Sequence, residues 1–295
     1  MTASVPETLG DVIERWMPDL VPARARWREA LEGAETVAPP ASGTPYTTRT
    51  TGTGLDRRIR TLFALDPLPT AVPDPPPWHP RNLWGFNDVM DEEEFTAWRA
   101  EAPDRQATAQ ARYERALARH AGSSVTVCRP ICASEPDSPY GFTPAGPKLI
   151  ADLDRMTTMA VAHLLPPFAG VPRARRCVDA MKLSGLFLYS PPDLILGPTL
   201  VEIKATPKTT LERRWARQLL AQWLWDVDDA FEIREFAIYA ARHGRLVRFE
   251  VGELFAGGND PVAREAARTQ VRPFVEEARE ERWRRRPGRV RTMVS

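Results

Sequence analysis

The stretch from Ser190 to Asp229 constrains this chain most. It reads S-P-P-D-L-I-L-G-P-T-L-V-E-I-K-A-T and runs on into a long helical segment carrying Gln218 and Gln222. Asp193 opens a short apolar run, Leu194-Ile195-Leu196. Gly197-Pro198 then supplies a turn, and Leu200-Val201 leads into Glu202-Ile203-Lys204. Two short apolar runs around a Gly-Pro step predict a hairpin. Side chains alternate along a strand, so Glu202 and Lys204 share one face while Val201 and Ile203 share the other. If the first strand pairs with the second, Asp193 comes close to Glu202 and Lys204. That sets two carboxylates and one ammonium at one end of a small sheet.

Two carboxylates held together repel each other unless a cation sits between them. Hard oxygen ligands with room for water and a phosphate oxygen suit Mg²⁺ or Mn²⁺. A lysine beside such a metal can orient or help deprotonate an attacking water and steady charge developing on a phosphate. A lone E-x-K on a surface hairpin would be a pair of ordinary solvated charges. The Pro-Asp ahead of it, the apolar strand cores and the helix behind it set this one apart. Lysine is also scarce: Lys148, Lys182, Lys204 and Lys208 stand among 40 basic residues. A compact amine can titrate where guanidinium cannot.

Pro192-Asp193, eight intervening residues and Glu202-Ile203-Lys204 together resemble the PD-(D/E)xK nuclease superfamily. Gln218-Leu-Leu-Ala-Gln222 is similar to the Gln-x-x-x-Tyr helix motif of its RecB/Cas4-like branch, with Gln222 where tyrosine is usual. The resemblance covers roughly residues 170–251. It implies an α/β fold with a restriction-endonuclease-like core, a central mixed β-sheet flanked by helices. It implies a metal site made by Asp193, Glu202 and the backbone carbonyl of Ile203, with Lys204 acting on the water and Gln218 organising the site. It further implies metal-dependent hydrolysis of phosphodiester bonds, in DNA first and with RNA also admitted, in phage defence, recombination or repair. The alternative is a non-catalytic nucleic-acid-binding or scaffold protein that keeps the fold.

The rest of the chain is read around that core. Residues 1–165 are expected to form a mostly helical N-terminal extension with Pro-rich loops and a surface for a protein partner. Residues 166–260 form the nuclease-like core, and 261–295 a C-terminal helix with a basic tail. Residues 7–32 predict a helix broken near Pro18 and Pro22, with Trp16 and Trp27 on its inner side. Residues 35–50 read as a loop. Leu55, Ile59, Leu62 and Phe63 recur at helical spacing, predicting an amphipathic helix entered through Gly54. RecB-like nucleases often carry an acid on such a helix, a position that Asp56 resembles; the plain reading is an aspartate favoured by the helix dipole. Arg57 and Arg60 are read on or near the other side, touching phosphates or solvated, and Lys208 joins them as a candidate phosphate contact.

A Pro-rich segment with Trp78, Trp84 and Phe86 precedes a charged helix that starts at Asp91. A further helix is expected from about Lys148 to Leu165, with Asp152 and Asp154 read as surface charges. Residues 236–251 predict a hairpin turning at His243-Gly244, with His243 exposed. The tail from Glu280 to Arg291 is strongly basic and suits phosphates or solvent equally.

Composition removes several classes. The net charge of +1 gives no global basic field, so any nucleic-acid contact must come from local patches. Cys128, Cys132 and Cys177 are too few for a disulfide framework, a structural zinc or an iron–sulfur cluster, and read as reduced thiols. No apolar run approaches membrane-spanning length and the start shows no secretory pattern, so the expectation is a soluble cytoplasmic protein.

Overall fold

The computed structural model describes residues 8–38, 45–73, 147–178 and 192–284. The expectations for Trp78, Trp84 and Phe86, for the acidic helix from Asp91, for Cys128 and Cys132, and for the tail beyond Arg284 lie outside the described residues. So does the side chain of Arg57.

Helices α1 (Leu9–Arg15) and α2 (Val21–Leu31) open the chain, followed by α3 (Pro45–Phe63) and α4 (Pro147–His163). Strands β1 (Arg176–Cys177), β2 (Leu194–Leu196) and β3 (Thr199–Lys204) come next, then helix α5 (Arg213–Trp225). Strands β4 (Glu235–Ala240) and β5 (Arg245–Glu250) precede α6 (Val251–Leu254) and α7 (Pro261–Arg284).

Local chemistry explains many of these boundaries. Thr8 and Asp11 form a capping box on α1, each side chain bonding the other's backbone N–H. The chain breaks at Pro18 as expected, whereas Pro22 sits in the first turn of α2, where its missing N–H costs nothing. Gly197, at φ +60°, makes the tight turn between β2 and β3. In α5, Trp215, Leu219, Leu220, Trp223 and Leu224 form the buried stripe of an amphipathic helix.

The five strands form one mixed sheet in sequence order. Neighbours are antiparallel except β3 and β4, which run parallel because α5 carries the chain back across one face. Alternation sorts the side chains between two cores. Ile195, Leu200, Phe236, Ile238, Val247 and Phe249 pack with residues of α1, α2, α5 and α7. Leu194, Leu196, Val201, Ile203, Ala237 and Tyr239 pack with α3 and α4 on the other side. The sheet is thus covered on both faces, the α/β arrangement expected.

The N-terminal helices pack onto the sheet: Val12, Ile13, Trp27 and Leu31 share one core with Leu219, Phe236 and Val275. Trp27 meets Trp215 edge-on, with ring centroids 5.7 Å apart. Helix α3 begins at Pro45, well before Gly54. Gly54 lies inside it, where an added Cβ would come within 3.2 Å of Leu153; the glycine permits close packing of α3 on α4.

Three polar side chains read as exposed are inside. Asp152 is fully buried and receives two bonds from Arg242, at 3.0 and 2.7 Å. His243 is buried at the β4–β5 turn with Nδ1 3.0 Å from Thr36 Oγ1, and burial holds its pKa below the usual histidine value. Arg60 is the third. Asp154 is exposed as expected, though it pairs with the buried Arg58. No helix among the described residues is long and apolar enough to cross a membrane.

Candidate active site

The β2–β3 register pairs Leu194 with Val201, so one step further along the ladder Asp193 falls opposite Glu202. Glu202 and Lys204 point to the α5 face, while Val201 and Ile203 enter the core on the α3–α4 face. The hairpin and the alternation in the sequence therefore gather the acid, acid and amine as expected.

Asp193 is held from behind. Its Oδ2 accepts the Ile203 N–H at 2.6 Å. A strand residue's carbonyl leaves the backbone on the same side as its N–H, so the Ile203 carbonyl also faces that side. Glu202 is nearly buried and is enclosed by donors. Its Oε1 accepts from Lys204 Nζ at 2.7 Å and from Gln218 Nε2 at 2.8 Å, and its Oε2 accepts from Gln222 Nε2 at 3.4 Å. Lys204 Nζ also donates to Gln218 Oε1 at 3.0 Å and lies 6.0 Å from the centre of the Trp215 ring. Gln218 and Gln222 are one helical turn apart on α5 and reach the same carboxylate, which is why both leave the apolar stripe.

The fourth side of the site comes from α3. Asp56 and Arg60 lie four residues apart, and Arg60 Nε donates to both Asp56 oxygens at 2.7 and 2.9 Å. Arg60 Nη1 bonds the Val178 carbonyl at 3.0 Å, and Nη2 bonds the Pro192 carbonyl at 3.2 Å. The same Nη2 is 3.5 Å from Asp193 Oδ1. Arg60 is therefore buried inside the site, not on an outer face available to a nucleic-acid backbone. The reason is energetic: three carboxylates beside one lysine require a second fixed cation, and guanidinium is the cation that tolerates burial. The i,i+4 spacing of Asp56 and Arg60 was the signal in the sequence for this pair. Lys208 does remain outside, its side chain 57% exposed and paired with Glu212.

The electrostatics bear on what else the site can hold. Burial pushes the Asp193 carboxyl up to about 7, and the neighbouring Glu202 charge adds to this. Arg60, the Ile203 N–H and Lys204 pull the other way without offsetting it. A divalent cation placed between Asp193 and Glu202 would offset their repulsion and favour the ionised Asp193. Among the described residues, no group of three or more His, Cys, Asp or Glu side chains is gathered to hold a metal on its own. A pair of carboxylates completed by water and a substrate phosphate is nevertheless the ligand set that Mg²⁺ commonly takes.

Comparison with protein-family models, with curated proteins and with solved structures finds no match for this chain. The site rests on its own geometry.

Proposed function

We propose that this protein is a divalent-metal-dependent nuclease of PD-(D/E)xK type that hydrolyses phosphodiester bonds, in DNA first. The convergence of Asp193, Glu202, Lys204 and Gln218 at one end of the β2–β3 hairpin carries the reading. The order helix, three strands, crossover helix and parallel strand, α4-β1-β2-β3-α5-β4, supports a restriction-endonuclease-like core.

In this reading Asp193, Glu202 and the Ile203 carbonyl hold Mg²⁺ or Mn²⁺. When bound, the cation polarises the scissile phosphate and makes water acidic enough to be used as a nucleophile. The chain's own residues do the rest. The Ile203 N–H fixes Asp193, so its other oxygen stays directed into the site. Gln218 accepts from Lys204 while donating to Glu202, which aims the ammonium and the carboxylate together. Lys204 then orients the attacking water and stabilises charge on the non-bridging oxygens of the phosphate. Gln222 fills the place of the usual tyrosine as a second donor to Glu202.

One observation favours the alternative of a nucleic-acid-binding protein without catalysis: both Glu202 oxygens already accept bonds from this chain, so that carboxylate is satisfied as it stands. Incubation with circular, linear and single-stranded DNA, and with RNA, in Mg²⁺, Mn²⁺ or chelator separates the two. Metal-dependent cutting supports the nuclease. Binding without cutting under every condition supports the alternative.

A further inference from the structure

We infer that Arg60 is a built-in counter-cation that makes binding of the divalent metal depend on a substrate phosphate. This rests on the nuclease reading and deepens it. Asp56, Asp193 and Glu202 bring three carboxylates to the site; Arg60 and Lys204 bring two cations. One net negative charge is left when all are ionised. A divalent cation added alone overshoots that balance, and a phosphodiester, with its single negative charge, restores it.

Arg60 is placed to enforce this. Its side chain is only 10% exposed, so solvent screens it weakly. It lies within electrostatic reach of all three carboxylates. It cannot swing away when a metal approaches, because Nη1 and Nη2 hold the Val178 and Pro192 carbonyls and departure would strand both. Those bonds also clamp the residue just ahead of Asp193, so the repelling charge and the ligand it acts on are fixed to one another. Asp193, Glu202 and the Ile203 carbonyl fill only part of a six-coordinate shell, and among the described residues no group of three or more His, Cys, Asp or Glu side chains is gathered to complete it, so the phosphate also serves as a ligand.

The test measures Mn²⁺ affinity of the full chain by the paramagnetic resonance of unbound Mn²⁺ at pH 8. Each protein is measured alone and with a short phosphorothioate DNA duplex that resists cleavage. Wild type should bind Mn²⁺ about tenfold more tightly, or better, in the presence of duplex. Arg60→Gln should bind Mn²⁺ alone about tenfold more tightly than wild type, and the duplex should then add less than about threefold. Asp56→Asn removes a negative charge while leaving Arg60, and should weaken Mn²⁺ binding without duplex.

Folded Arg60→Gln with unchanged affinity and unchanged coupling overturns the inference while the nuclease reading stands. If that variant does not fold, wild type and Asp56→Asn decide: absent coupling in wild type, or unaltered affinity in Asp56→Asn, overturns it equally. Failure of wild type to bind Mn²⁺ with or without duplex removes the nuclease reading itself, and this inference with it.

Discussion

Asp193→Asn should stabilise the metal-free protein at neutral and alkaline pH while reducing its chemistry. Folding raises the Asp193 pKa from 3.8 to about 7, through burial first and the Glu202 charge second. The unfolded chain therefore releases this proton earlier as pH rises. The stability tied to the protonated carboxyl is fully present below 3.8, falls through the window up to about 7, and stays lost above it. A shift of about three pH units at ~1.36 kcal/mol each sets an upper value of about 4 kcal/mol. The side chain keeps 17% of its exposure, and residual solvation brings the expected cost to about 2–4 kcal/mol.

Asparagine stays neutral, and its Oδ1 can still accept the Ile203 N–H. Groups far from the site titrate alike in both proteins, so the difference between them reports Asp193 together with the neighbours coupled to it. Urea unfolding in chelator, from about pH 3.5 to 8.5, should show near-equal stabilities at the acid end. The variant should then gain steadily to about pH 7 and hold a constant advantage beyond, a midpoint shift on the order of 1 M for a slope of about 3 kcal/mol/M. Parallel pH profiles for the two proteins, or a wild type more stable than the variant at pH 8, would refute the picture of two mutually repelling buried acids.

Other perturbations test how the site is held. Arg242→Met removes two bonds from the fully buried Asp152, leaving it the half-exposed Arg155 at 3.6 Å, and should cost about 3 kcal/mol, whereas the double variant with Asp152→Leu should recover much of it; urea unfolding of the four proteins measures the coupling, and a single-variant loss under about 1 kcal/mol would contradict it. Gly244→Ala combines φ +57° with a new Cβ 2.7 Å from Met159 Cε and should cost about 2–4 kcal/mol. Gly33→Ala, at φ +66° with nothing within 4 Å, should cost only about 1–2 kcal/mol by thermal or urea unfolding. Equal losses at the two glycines would mean that packing at the β4–β5 turn contributes nothing.

The elements that local pattern defines were legible in the sequence. The Gly197-Pro198 turn, the alternation through Glu202-Ile203-Lys204 and the paired glutamines of α5 suffice to bring four polar side chains together, because each signal is short-range and periodic. The β4–β5 hairpin was legible for the same reason. What escaped depends on partners far along the chain. Arg60 finds Val178 and Pro192, Arg242 finds Asp152, and Arg58 finds Asp154, each across about 90 or more residues. A charge with no visible neighbour reads as solvated, whereas tertiary packing has given it polar partners: a buried acid for Arg242, an exposed one for Arg58 and two carbonyls for Arg60. The early start of α3 escaped similarly: Pro45 to Thr53 is rich in threonine, a weak helix former on its own.

Whether the Asp193–Glu202–Lys204 group hydrolyses phosphodiesters with a divalent metal can be decided by a single-turnover cleavage experiment. The rate on radiolabelled DNA in Mn²⁺ would be compared among wild type, Asp193→Asn, Lys204→Ala and Val262→Ser, the last altering a side chain 75% exposed on α7. Wild type and Val262→Ser should cleave in a manner that chelator abolishes, and the rate should fall about 10²-fold or more in each site variant. Metal-dependent cleavage that survives in both Asp193→Asn and Lys204→Ala would contradict that assignment.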